Sequence, residues 1–131
     1  GDESNKPLYP FGFGLSYTSF AYSNLVINDA NPAAVKVTAT VTNTGKLDGE
    51  EVAQLYIRDK VASVVRPVKE LKGFSKFSLK AGEARQVSFT LTAAELGFYD
   101  NTGTFVLEPG DFDLMIGGNS VEGVKGSFTL K

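Results

Sequence analysis

The chain of 131 residues contains neither histidine nor cysteine, so the commonest nucleophile–base pairs and transition-metal ligand sets cannot be built. What remains is the chemistry of carboxylates, cations and hydroxyls. Asp111 and Asp113 sit on either side of Phe112, so on a strand both project from one face while Phe112, Leu114 and Ile116 enter a core from the other. Two carboxylates on one face can work as an acid–base pair or simply form a solvated polar surface. Glu50 and Glu51 are adjacent and point to opposite sides of a strand, which is poor geometry for a dyad. Asp48-Gly49-Glu50-Glu51 lacks the alternating oxygen ligands of a calcium loop. Arg58-Asp59-Lys60 and Arg66 flank a loop; they can bond hydroxyls or a carboxylate of a neighbour, or form a surface charge cluster worth little. No tryptophan is present, so sugar stacking would rest on Tyr9, Tyr17, Tyr22, Tyr56 or Tyr99. No cofactor and no metal are expected.

The bulk properties narrow the classes further. A hydrophobic content of 42% in 131 residues suits one domain with a core that needs neither metal nor disulfide. The net charge of -2, from 13 basic and 15 acidic residues, leaves no footprint for nucleic acid or an anionic membrane. No apolar run reaches the roughly 18 residues that span a bilayer. The polar start Gly1-Asp2-Glu3-Ser4-Asn5-Lys6 lacks methionine, which suggests a processed protein, a tag remnant or a piece of something longer.

The elements that must position these groups read as short strands. Val35, Val37, Ala39 and Val41 alternate with Lys36, Thr38, Thr40 and Thr42, and Ala53, Leu55 and Ile57 repeat the period. With the turn residues between them, residues 34–59 read as a central hairpin. Further strands are predicted at 20–27, 68–77, 85–91, 104–107, 112–116 and 124–130. In the 68–77 strand the alternation slips from Leu71 to Phe74 and Phe77, which predicts a bulge at Gly73. Thr92-Ala93-Ala94-Glu95 matches a capping box and predicts one helical turn. Tyr99, ahead of a late strand, occupies the place of a tyrosine corner. Seven to nine strands with no long helical period imply an all-β chain, an immunoglobulin-like antiparallel β-sandwich. Residues 1–18 read as an irregular lead-in and 19–131 as the sandwich. Within the lead-in, Leu8 to Tyr17 mixes four aromatics with two glycines and a proline. It suits either an aromatic ligand platform or burial against a neighbouring surface. Gly12-Phe13-Gly14 lacks the third glycine of a dinucleotide fingerprint.

Several of these motifs, in this order, resemble a known family. Pro7-Leu8-Tyr9-Pro10-Phe11-Gly12-Phe13-Gly14-Leu15-Ser16-Tyr17-Thr18, Val41-Thr42-Asn43-Thr44-Gly45, Glu51-Val52-Ala53-Gln54-Leu55-Tyr56-Ile57, Arg66-Pro67-Val68-Lys69-Glu70-Leu71-Lys72-Gly73-Phe74 and Glu108-Pro109-Gly110 are similar to the C-terminal fibronectin type III-like domain of family 3 glycoside hydrolases, bacterial periplasmic β-glucosidases above all. The resemblance covers about residues 7 to 130; Phe13 departs from it, standing where tyrosine is usual. It implies that the chain is a non-catalytic accessory domain whose partners are the catalytic domains of a parent enzyme, with an oligosaccharide as a second candidate. It implies inter-domain contacts through Tyr9, Phe11, Phe13 and Tyr17, and a loop near the substrate rim that includes Asp59, Lys60 and Arg66. A periplasmic or secreted location follows from the same resemblance, and an autonomous carbohydrate-binding module is the alternative.

Overall fold

The computed structural model describes residues 18–61, 63–64 and 67–131; Tyr9, Phe11, Phe13, Tyr17 and Arg66 lie outside them. Two antiparallel sheets face each other. One holds β1 (Phe20–Asn28), β2 (Val35–Asn43) and β5 (Ala84–Leu91) in the order β1-β2-β5. The other holds β3 (Gly49–Asp59), β4 (Lys69–Leu79), β8 (Gly110–Gly117) and β9 (Val124–Leu130) in the order β4-β3-β8-β9. A short helix α1 (Ala93–Leu96) and a two-stranded ribbon, β6 (Phe98–Tyr99) with β7 (Phe105–Val106), close one end. This is the antiparallel β-sandwich predicted from the strand pattern.

Alternation places the core. Val35, Val37, Ala39 and Val41 of β2 are fully buried, and they face Ala53, Leu55 and Ile57 of β3 and Phe112, Leu114 and Ile116 of β8. Phe112 stacks on Phe128 at 5.2 Å between ring centroids. Bulges correct the phase where a strict period of two would fail. In β1 the register shifts between Ser23 and Val26, at Asn24 with φ 54°. The inward set therefore changes from Phe20 and Tyr22 to Leu25 and Ile27. In β4, Leu55 pairs with Gly73 but Tyr56 pairs with Leu71, leaving Lys72 as the extra residue. The bulge predicted at Gly73 is there, one residue away.

Two expectations are corrected. β2 and β3 are not a hairpin: β2 pairs with β1 and β5, β3 with β4 and β8. Their apolar rows face each other across the core, so the intervening chain crosses between sheets. Asn43, fully buried at this crossing, accepts from Thr18 Oγ1 (2.6 Å) and Gly45 N–H (3.0 Å) and donates to the carbonyls of Leu47 (2.9 Å) and Leu79 (3.1 Å). Tyr99 makes no tyrosine corner; it is 71% exposed and meets Phe105 edge-on at 5.1 Å in the β6–β7 ribbon. Phe74 points outward, 68% exposed, opposite in parity to the inward Phe77, and the Lys72 bulge turns Leu71 outward as well.

Gly110 opens β8 with φ 149°, and a Cβ there would lie 2.6 Å from Val61 Cγ1 and 3.0 Å from Val61 Cα. Both backbone conformation and space require glycine. Gly110→Ala is expected to lower stability by about 1–3 kcal/mol, read as a lower urea midpoint with unchanged slope; an unshifted midpoint would show that the Val61 turn yields at no cost.

Candidate functional site

At the strand end where β3 finishes, a cleft of about 730 Å³ opens between the β4-β3-β8-β9 sheet and the segment from α1 to β6. Its floor is Ile57 and Phe112, and its polar lining comes from Asp59 of β3, Glu70 and Lys72 of β4 and Glu95 of α1. Phe98 and Tyr99 form an aromatic lip. Each side chain has a local cause. Glu70 pairs with the inward-facing Ile57, so the bulge at Lys72 sends it to the cleft side. Glu95 is held by the predicted capping box: its Oε1 accepts from Thr92 N–H at 2.6 Å and Thr92 Oγ1 at 2.8 Å, while Thr92 Oγ1 accepts from Ala94 N–H.

The loop after β3 is fastened to the sandwich at several points. Asp59 Oδ1 accepts from Val61 N–H (3.0 Å), Lys60 N–H donates to Asp111 O (2.9 Å), and Ser63 donates to Glu108 through N–H (3.2 Å) and Oγ (2.6 Å). The side chains of Asp59 and Lys60 point to different faces. Asp59 faces the cleft, whereas Lys60 Nζ lies 3.6 Å from Asp113 on the outer face of the sheet.

Electrostatics separates Asp59 from Glu95 among the cleft acids. Burial pushes the Asp59 carboxyl up; the Val61 N–H opposes this, the charges of Glu108 and Glu70 add to it and Lys72 offsets it. Burial also acts on Glu95, but its hydrogen bonds from Thr92, with help from Lys72, outweigh it and leave that carboxyl below its ordinary range. Lys72 Nζ and Glu70 are 3.4 Å apart in a partly exposed pair, which counts for little energetically. Because Glu95 is committed to its cap, the cleft fits recognition of hydroxyls or cations better than proton transfer. Among the described residues, no group of three or more His, Cys, Asp or Glu could hold a metal ion.

The paired carboxylates read from the sequence are dispersed. Asp111 and Asp113 share the outer face as predicted, but Asp111 accepts from Thr129 Oγ1 (2.7 Å) and Asp113 pairs with Lys60. Glu50 is exposed, while Glu51 turns inward and accepts from Tyr22 Oη at 2.9 Å, a link between the two sheets. Burial, then the Glu51 charge and hydrogen bond, push the Tyr22 phenol above its usual range. Burial raises Glu51 above 4.5, only partly countered by its bonds from Tyr22 and Val52 N–H. The folded state thus holds the Glu51 proton more tightly than the unfolded chain. Its stabilising contribution is complete below pH 4.5 and is lost as pH rises through the raised value. Urea unfolding from acid to neutral pH should therefore show a steeper loss of stability in the wild type than in Glu51→Gln, and equal slopes would exclude this linkage.

The fold and this geometry can be set beside known proteins. The sequence model of the fibronectin type III-like domain matches residues 51–120. The chain belongs to this family. Among relatives of this fibronectin type III-like domain is the periplasmic β-glucosidase of Salmonella typhimurium, 47% identical over 98% of this chain and 17% of that protein. Another is a putative β-xylosidase of Formosa agariphila, 46% identical over 95% of this chain and 17% of its own length. Among solved structures, a β-glucosidase of Erythrobacter marinus superposes with a TM-score of 0.81 at 41% identity, covering 94% of this chain and 17% of that one. A family 3 β-glucosidase of Bifidobacterium adolescentis gives 0.80 at 37% identity, covering 93% and 18%. The domain thus spans about a sixth of the length of these relatives. It corresponds to the fibronectin type III-like domain carried by family 3 glycoside hydrolases, as the sequence motifs implied. Among the described residues, no helix is long and apolar enough to cross a membrane.

Sequence reasoning missed Glu70, Lys72 and Glu95 as cleft residues. The Gly73 slip and the capping box were the available signals. Joining them required knowing that β4 and α1 meet at the same end of the sandwich.

Proposed function

We propose that this chain is the non-catalytic, C-terminal accessory domain of a β-glucosidase-type family 3 glycoside hydrolase, packed against the catalytic domains and stabilising them. The observation that carries this reading is coverage: 98% of the chain aligns with 17% of a periplasmic β-glucosidase. Most of the length of such an enzyme therefore lies outside this fold. In this reading residues 1–18 are the lead-in and 19–131 the sandwich, and Tyr9, Phe11, Phe13 and Tyr17 contact the catalytic domains. The loop that includes Asp59, Lys60 and Arg66 lies near the substrate rim, and the parent enzyme is periplasmic or secreted.

The test is hydrolysis of an aryl β-glucoside by this chain alone and by the parent polypeptide with and without it. Activity or thermal stability lost on removal, with no turnover by the chain alone, supports the reading; turnover by the chain alone overturns it. A second reading, an autonomous carbohydrate-binding module, is favoured by the exposed Tyr99 beside carboxylates in the open cleft. Titration of the isolated chain with cellobiose, followed through Tyr99 and its Tyr99→Ala variant, distinguishes the two.

A further inference from the structure

The two outer faces of the sandwich differ in kind. Outward residues of the β1-β2-β5 sheet are mainly polar, with Thr38, Thr40 and Thr42 of β2 beside Gln86 and Ser88 of β5 and Val26 of β1 as an apolar exception. That is the ordinary outer face of a two-layer sandwich. The β4-β3-β8-β9 sheet instead carries an apolar row across three strands, Leu71 paired with Tyr56 and Tyr56 with Met115, in which Met115 is itself buried. Phe74 stands beside this row, opposite Gln54. Leu71 and Phe74 lie three positions apart, so in a regular strand they would point to opposite faces; the Lys72 bulge brings both onto the outer one. They are 49% and 68% exposed.

The turn after β8 leans over the same face. Gln54 Nε2 donates to Gly118 O at 2.8 Å, Tyr56 Oη donates to Gln54 Oε1, and Lys69 Nζ donates to Ser120 O at 2.6 Å. These bonds fix the ground around Leu71 and Phe74, so the apolar residues are presented on a preorganised surface. Lys76, opposite Val52, and Lys125, opposite Met115, lie at its margins, while the carboxylate on the same face of β8, Asp113, is paired with Lys60. An apolar centre with a charged margin is the anatomy of a protein interface.

We propose that this face, centred on Leu71 and Phe74, receives a neighbouring domain of the same glycosidase polypeptide, whose surface is apolar opposite Leu71 and Phe74 and carries carboxylates opposite Lys76 and Lys125. The inference rests on the accessory-domain reading above and names the surface that reading uses. Two observations select this occupant. About five-sixths of each curated relative lies outside the part this chain matches, and the cationic margin asks for an acidic counterpart.

Deuterium exchange of the intact parent polypeptide, compared with this chain alone, tests the assignment. The backbone amides of β4 around Phe74 should exchange at least ~10-fold more slowly in the parent. Leu71→Ser with Phe74→Ser should return them to the isolated-chain rate, while the melting point of the isolated double variant stays put because both side chains are exposed. Equal exchange in parent and chain would overturn the proposal. If deleting the whole domain lowers the parent's melting point but β4 exchange is unchanged, the accessory reading stands and this face is wrong. If deletion changes nothing, the accessory reading falls and this proposal with it. Concentration-dependent protection in the isolated chain, abolished by the double variant, would give the face to a second copy and overturn the proposal as well.

Discussion

Phe112→Ala is expected to remove about 3–5 kcal/mol of stability, the usual range for deleting a fully buried aromatic ring. Phe112 is 0% exposed, stacks on Phe128 and floors the cleft. Neighbours on both sheets hold their places through strand ladders and cannot collapse into the space. A single domain has only about 5–15 kcal/mol in total, so this one change brings the chain near its unfolding limit. Calorimetry should show the melting point falling by roughly 10–20 °C. A fall of only a few degrees would mean that the sheets close over the gap, which cleft-lining residues would reveal by altered exchange.

Asn43→Ala should be the second most damaging substitution, at about 2–4 kcal/mol, through polarity rather than volume. It strands donors on Thr18 and Gly45 and carbonyls on Leu47 and Leu79, at a site that is 0% exposed. Among the described residues no buried side-chain nitrogen or oxygen lacks a partner, and this variant would break that state. Asn43→Asp separates the two halves of the network. The carboxylate still accepts from Thr18 and Gly45 but faces the two carbonyls without a proton to donate. Its folded pKa is therefore raised, and its stability should recover as pH falls, when one oxygen regains a hydrogen. An Asn43→Asp protein with wild-type stability at neutral pH would refute the assignment of donor and acceptor.

The faces of the strands were legible in the sequence; their neighbours were not. Val35 to Val41 and Phe112 to Ile116 showed which side chains are buried, since alternation reports burial directly. Alternation is silent on which strand lies alongside, so the chain's two clearest strands were joined into a hairpin when they lie in opposite sheets. Bulges were half-legible. Gly73 disturbed a visible pattern, whereas Asn24 interrupts β1 with a residue that tolerates positive φ and leaves little trace. The cleft was the least legible part, because Glu70, Lys72 and Glu95 converge only through a bulge, a cap and a pairing of distant segments. Asp59 lines the cleft, whereas the side chain of its neighbour Lys60 reaches Asp113.

The crossing at Asn43 also governs how the chain reaches this fold. Consecutive strands can pair early as β1–β2, β3–β4 and β8–β9, but the ladders that complete each sheet, Val35 with Leu91 and Leu55 with Ile116, close only between distant segments. Chain topology of this kind places refolding in the milliseconds-to-seconds range, well behind helical domains of equal stability. During that interval the apolar rows of β2 and β3 are made but uncovered, and a slow-folding sandwich is then most exposed to aggregation.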